Sequence, residues 1–214
     1  MISRHQARSR KSIRLKGYDY SEPGSYFVTI CTARMQCVFG DAQNGEMVES
    51  PLGHLAADDW RDIPRHFPHI TLDQFRVMPN HIHAILVIGK RRGQTGTNGE
   101  RKFGQPQTGT LSTVIGAFKA GVTFKARTSH LCSNRPLWQA RFHDHIIRND
   151  VELYRIRQYI ELNPIMWEFD VANPRAKEIS AQDFEHILSE KYRLTGQALY
   201  MIMDSKRINR LRLK

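Results

Sequence analysis

Apolar positions recur along this chain in two rhythms. A period of two, or a short unbroken apolar run, marks a strand; a period near 3.6 marks a helix. Residues 26–32 (YFVTICT) are aromatic and β-branched and predict a first strand. Val38 and Phe39 on one side, and residues 46–48 on the other, flank the turn 40–45 and predict a hairpin. Pro51 opens a helix that runs to about Asp62, with Leu52, Leu55, Ala56 and Trp60 on one face. Residues 70–77 (ITLDQFRV) predict another strand, and the turn at Met78, Pro79 and Asn80 joins it to 81–88 (HIHAILVI). That last run is apolar on both of its faces. It belongs at the centre of a sheet, antiparallel to the strand before it.

Thr110 can cap a helix on which Leu111, Val114, Ile115, Phe118 and Val122 recur. Residues 137–149 (LWQARFHDHIIRN) mix the two rhythms and predict no single element. Asp150 can cap a last clear helix, from Val151 to about Leu162, which Pro164 stops. Beyond Trp167 come short polar segments. The order β, hairpin, α, β, β, α, α predicts an α+β fold, with helices packed on a central antiparallel β-sheet. Three stretches follow: a basic N-terminal arm (1–20), a folded domain (21–170) with a long loop at 89–109, and a basic C-terminal extension (171–214). The loop holds six glycines and almost nothing to bury, so it is a mobile insertion or a basic flap over a ligand.

Composition adds limits. The chain has 214 residues, 40% hydrophobic and 25% charged, enough for a sizeable core. No apolar run approaches a membrane span, and the basic N-terminus lacks the apolar segment of a secretory signal. Cys31, Cys37 and Cys132 are odd in number and lack metal-ligand spacing, which fits the reducing cytoplasm. Lys plus Arg is 32 against 21 for Asp plus Glu, a net charge of +11. That excess points to a polyanion, nucleic acid first. Arg4, Arg8, Arg10, Lys11, Arg14 and Lys16 stand in the arm with no acid among residues 1–16. Such a run is a solvated tail or an arm that lies on phosphates.

Two groups carry candidate chemistry. His81 and His83 open the central strand, and strand alternation puts both on one face with Ile82 on the other. Two such imidazoles can share a metal ion, but two ligands alone do not make a site. On the last helix Leu153, Ile156 and Ile160 share a core face, with Tyr159 and Asn163 one turn apart at its edge. If that edge packs on the histidine face, two imidazoles, an amide oxygen and a phenol meet.

The runs 75–88 (FRVMPNHIHAILVI), 137–149 and 155–167 (RIRQYIELNPIMW) occur in an order and spacing that resembles the single-tyrosine HUH transposases. The likeness is greatest to the bacterial REP-associated tyrosine transposases, and 26–40 resembles that family's opening strand and hairpin. The resemblance implies the HUH endonuclease (ferredoxin-like) fold with five antiparallel strands, making 21–170 its catalytic domain. It implies His81 and His83 as metal ligands, Asn163 as the third, and Tyr159 as nucleophile, with Tyr154 outside the chemistry. Mg²⁺ or Mn²⁺ is the implied cofactor. The implied activity is nicking and joining of single-stranded DNA with hairpin or palindromic elements, through a 5′-phosphotyrosine. Arg14, Lys119, Arg141 and Arg148 are the expected phosphate contacts, and His143, Asp144 and His145 the expected polar contacts to the last helix or to DNA. A cytoplasmic, nucleoid-associated monomer or homodimer is expected. The rival readings are an inactive DNA-binding descendant of the fold, a metal-dependent phosphodiesterase in which water attacks, and a basic RNA-binding module.

Overall fold

The computed structural model describes residues 20, 22–90, 109–193 and 196. The arm with Arg14, most of the glycine-rich loop and the basic C-terminal end lie outside the described residues. Four strands form one sheet: β1 (Gly24–Cys31), β4 (Ile70–Met78), β5 (His81–Ile88) and β6 (His143–Ile147). Their order is β4-β5-β1-β6 and every neighbouring pair is antiparallel. Helix α1 (Pro51–Arg61), followed by the short α2 (Ile63–His66), crosses from β1 to β4, and α3 (Leu111–Thr128) from β5 to β6. Two interleaved βαβ units in this order are the ferredoxin-like topology.

Both faces of the sheet are covered, which is why β5 is buried along nearly its whole length. On one face Tyr26, Val28, Ile30, Ile82, Ala84, Leu86 and Ile88 pack with Leu52, Ala56 and Trp60 of α1 and with Val114, Ile115, Phe118 and Val122 of α3. On the other face Phe27, Ile85 and Ile147 meet Leu153, Ile156, Tyr159 and Ile160 of α4 (Asp150–Glu161). The expected helix edge therefore does pack on the histidine face.

Several elements differ from the sequence expectation. The hairpin strands are β2 (Gly40–Gln43) and β3 (Glu46–Glu49), turned by Asn44 and Gly45 at φ 52° and 82°. That positive pair is what a two-residue hairpin turn requires. The hairpin pairs only with itself, so among the described residues the main sheet has four strands where the resemblance implied five. Asn149, not Asp150, caps α4: its backbone is extended and its side chain accepts from the Glu152 amide at 2.9 Å. Asp150 is instead the first helical residue, where its charge faces the positive end of the helix dipole. Past Pro164 the chain stays helical in α5 (Asn163–Met166) and one 3-10 turn (Trp167–Phe169). Proline tolerates this because it stands at the first turn, where no amide partner is needed.

The polar stretch beyond holds a further helix, α6 (Ala181–Glu190), capped by Ser180. Its Phe184 and Leu188 pack on Leu162, Met166 and Phe169, so residues either side of position 170 share one apolar cluster. None of the three cysteines is in a disulfide. No helix among the described residues is long and apolar enough to cross a membrane.

One ion pair fixes α4 on the sheet. β4 is irregular between Leu72 and Phe75, and the interruption turns Asp73 toward Arg157, which grips it with Nε at 2.8 Å and Nη2 at 2.5 Å. The Arg157 hydrogen bond holds the Asp73 carboxyl below its ordinary value, and Arg157 is raised in turn. A depressed carboxyl stabilises the fold above the ordinary aspartate range near pH 4 and loses that contribution as pH falls through the folded value. Asp73→Asn is expected to cost about 1 kcal/mol at pH 7, given that half the arginine is exposed. Thermal unfolding of both proteins at neutral pH and near pH 3 checks this: the gap should close in acid.

Candidate active site

His81 and His83 stand at the start of β5, where the sheet hands over to the Met78-Pro79-Asn80 turn. Cross-strand register puts Thr29 opposite His83 and Cys31 opposite His81, and His143 opposite Thr29 on the far side. These side chains share a face because paired positions on antiparallel strands point the same way. The face is roofed by α4 and lined with a cavity of about 410 Å³ that His81, His83, Thr29, His143, Tyr159 and Asp170 border.

The two imidazoles are buried, 5% and 1% exposed, with Nε2 atoms 3.0 Å apart. Their other nitrogens are engaged. His83 Nδ1 meets the Thr29 hydroxyl at 2.9 Å, and His81 Nδ1 meets Asn80 Oδ1 at 2.7 Å. The Asn80 amide cannot be turned round. Its Nδ2 donates to the carbonyls of Ala172 at 2.8 Å and Met35 at 3.2 Å, so its oxygen must face His81. An amide oxygen only accepts; His81 therefore carries a proton on Nδ1, and its Nε2 faces His83. Arg34 and Met35 hold left-handed backbone (φ 56° and 55°), which non-glycine residues adopt at a cost of about 1–2 kcal/mol each. That strain sits where the Met35 carbonyl meets Asn80.

Tyr159 completes the group. Its hydroxyl is 3.1 Å from His83 Nε2, and its ring lies 4.9 Å from the His83 ring and 5.9 Å, edge-on, from Phe27. Trp167 stands 6.0 Å from the His81 ring. Tyr159, Asn163 and Trp167 follow at four-residue intervals through α4 and its continuation, so they lie on one helical line. Asn163 is 3% exposed and does not border the open cavity.

This donor set suits a cation. Two nitrogens at roughly 2.1 Å from one octahedral ion stand about 3.0 Å apart, which is the spacing here. Two lone pairs at that distance repel unless a proton or a metal cation lies between them, and both outer nitrogens are already held as second partners hold metal-bound histidines. Among the described residues no three His, Cys, Asp or Glu side chains are grouped to hold a metal ion.

The other expected residues are placed as follows. Lys119 is half-buried, and its ammonium donates to the carbonyls of Gln139 at 2.9 Å and Arg141 at 3.2 Å, clamping α3 to the chain before β6. Burial holds its pKa below the ordinary value. Arg141 and Arg148 are exposed on either side of β6. His145 makes the polar contact expected of its segment, to Glu152 of α4 at 2.7 Å. The Glu152 carboxyl is held low, first by the Arg148 backbone amide and then by His145. Tyr154 is 44% exposed, away from the cavity. Sequence reading missed Asn80 and Thr29. The available signal was an asparagine directly before a His-x-His strand, ahead of which no helix needs a cap.

No protein-family model matches the chain. An uncharacterised protein of Haemophilus influenzae (strain ATCC 51907 / DSM 11121 / KW20 / Rd) is 39% identical over 166 residues, spanning 75% of this chain and 91% of that protein. The chain belongs to that protein's family. Among solved structures it is similar to a REP-associated tyrosine transposase bound to a REP hairpin, at 20% identity and a TM-score of 0.48 over 71% of this chain and 73% of the other. It is also similar to a presumed transposase of Deinococcus radiodurans R1, at 18% identity and a TM-score of 0.41 over 69% of this chain and 95% of the other.

Proposed function

We propose that this chain is a metal-dependent enzyme that nicks and rejoins single-stranded DNA, with Tyr159 as its nucleophile. The observation that carries the reading is the convergence of one phenol and two imidazoles: Tyr159 at 3.1 Å from His83 Nε2, itself 3.0 Å from His81 Nε2. A phosphate drawn to the point where the imidazoles meet would have its phosphorus beside the phenol oxygen, and such placement is a large part of phosphoryl-transfer catalysis. Mg²⁺ or Mn²⁺, when bound, would neutralise the phosphodiester oxygens. His81 and His83 would hold it, with Asn163 as the third donor. Imidazole nitrogen favours the later metals of the divalent series over magnesium, so Mn²⁺ is the better probe.

Tyr159 must shed its proton to solvent before attack, since a phenol with an ordinary pKa of about 10 is a weak nucleophile at neutral pH. Its oxygen then bonds to phosphorus. The bond to the 3′-oxygen breaks, and that oxygen takes a proton from water. The phosphotyrosine conserves the energy of the broken bond, so a 3′-hydroxyl can reverse the step without a nucleotide triphosphate. The net charge of +11 supports a polyanionic substrate. The motif resemblance supports single-stranded DNA with hairpin or palindromic elements, acted on in the cytoplasm by a monomer or homodimer.

The test is covalent capture. The protein, Mn²⁺ and labelled single-stranded hairpin oligonucleotides are incubated and run on a denaturing gel. A protein–DNA band is expected, with the nucleotide on the Tyr159 peptide by mass spectrometry. Cut DNA with no such band would mean that water attacks. Uncut DNA with intact binding would mean a binding protein.

A further inference from the structure

A second concavity, of about 660 Å³, runs along the latter half of α3 beside Trp138. Phe124 lines it and is 70% exposed, opposite the side on which Phe118, Val122 and Ala126 are buried. A lone exposed apolar side chain is ordinary. This one shares its groove with an indole, Lys119 and Arg127, and with no acidic residue. Arg127 is exposed and gives one hydrogen bond, from Nη2 to the Asn134 carbonyl at 3.2 Å. Lys119 spends its protons on carbonyls but keeps its charge at the groove wall.

The groove and the cavity of Tyr159 lie on opposite faces of the sheet, and one edge segment, Trp138 and Gln139, borders both. Trp138 bridges Thr32 as an added strand residue, and the next amide, Gln139 N, donates to the Cys31 carbonyl at 3.0 Å. Side chains alternate along such a segment. Trp138 enters the α3 groove, donating from Nε1 to the Lys119 carbonyl at 3.1 Å, while Gln139 borders the cavity of Tyr159. A strand that leaves that cavity past Gln139 and turns around this edge reaches the groove.

We infer that this groove seats an unpaired nucleotide of the same DNA strand that enters the cavity, farther along that strand and around the sheet edge. The base stacks on Phe124 and a flanking phosphate meets Arg127, the pairing of aromatic platform and cation by which single strands are held without sequence readout. The choice of DNA rests on the nicking function proposed above.

The test uses the full chain and hairpin oligonucleotides with unpaired flanks of increasing length, one flank base replaced by 2-aminopurine. Wild type should gain affinity once the flank reaches the groove, with a change in 2-aminopurine emission at that position. Phe124→Ala should lose about tenfold in affinity and the emission change, and Phe124→Trp should restore both. Arg127→Gln should flatten the log–log salt dependence by about one unit. Both positions are exposed, so the variants should fold. Equal affinity and emission for wild type and Phe124→Ala, with the Tyr159 adduct still forming, overturns this inference and leaves the nicking function intact. Absence of any single-strand binding by wild type overturns both. A wild-type dimer that Phe124→Ala turns into a monomer at unchanged DNA affinity makes the groove a self-association face, and also overturns it.

Discussion

Replacing Tyr159 with phenylalanine is expected to abolish covalent capture of DNA while leaving DNA affinity within about twofold of wild type. The substitution removes one oxygen and little else. The ring keeps its edge-on contact with Phe27 and its packing against His83, because those contacts involve ring carbons. The lost hydrogen bond to His83 Nε2 should cost about 1 kcal/mol of stability, less than would unfold a domain of this size. The chemical loss is of another order. Without a nucleophile the remaining groups can only bind and polarise the phosphodiester, so strand cleavage should fall by on the order of 10⁴-fold or more. The measurement is the rate of adduct formation, with affinity for the same oligonucleotide taken by anisotropy. If the phenylalanine enzyme still cuts at a comparable rate, water is the nucleophile. If another residue captures the DNA, Tyr154 is the first to check; it stands five residues earlier and 44% exposed.

Tyr159 is held in place from three sides, which ties its reactivity to the packing of α4. Arg157 grips Asp73 of β4 two residues before it; Glu152 takes the His145 ring and the Arg148 amide at the start of the helix; Ile160 is fully buried beside Ile85 and Ile147. Loosening any of these should slow adduct formation without removing a reacting group. Asp73→Asn, expected to lower stability modestly, should therefore also lower the adduct rate more than the DNA affinity.

The sequence made these relations legible to different depths. The central place of β5 could be read from a run apolar on both faces, since only a strand covered on both sides has that pattern. The shared face of His81 and His83 followed from strand alternation, and the place of Tyr159 at the edge of its helix's core face from helical spacing. Neither needed a partner from elsewhere in the chain. What stayed hidden depends on distant pairings. β6 is short, and three of its residues are the polar His143, Asp144 and His145, so nothing local distinguishes it from a loop until it pairs with β1. Asn80 looks like a turn residue, and its role appears only when the carbonyls of Met35 and Ala172, 45 and 92 positions away, arrive at its amide. The α6 helix is a different kind of miss. Ser180 followed by Asp183, then Phe184 and Leu188 one turn apart, is a readable helix start and apolar stripe.

Replacing both His81 and His83 with alanine is expected to eliminate site-specific Mn²⁺ binding and, with it, adduct formation. In the wild type two Nε2 atoms converge at 3.0 Å with both Nδ1 atoms held, His81 by Asn80 and His83 by Thr29. Such a pair enters metal binding already oriented, so little ordering remains to oppose the ligation. The readout that does not depend on catalysis is Mn²⁺ electron spin resonance, which should show nitrogen coupling in the wild type and none in the double variant. Two buried imidazoles removed together leave a void, so unfolding must be followed in parallel. His83→Gln, closer in volume, provides the second arm and should weaken Mn²⁺ at least about tenfold without collapse of the fold. Asn80→Ala extends the argument one bond outward. It leaves the fold's two carbonyls and the His81 Nδ1 proton without partners, and should weaken Mn²⁺ by about 10- to 100-fold while keeping both ligands in place. Unchanged Mn²⁺ affinity in the double variant would sink the metal site. The 3.0 Å contact would then have to be a proton shared between two histidines, and Tyr159 would have to act beside an imidazolium rather than a metal ion.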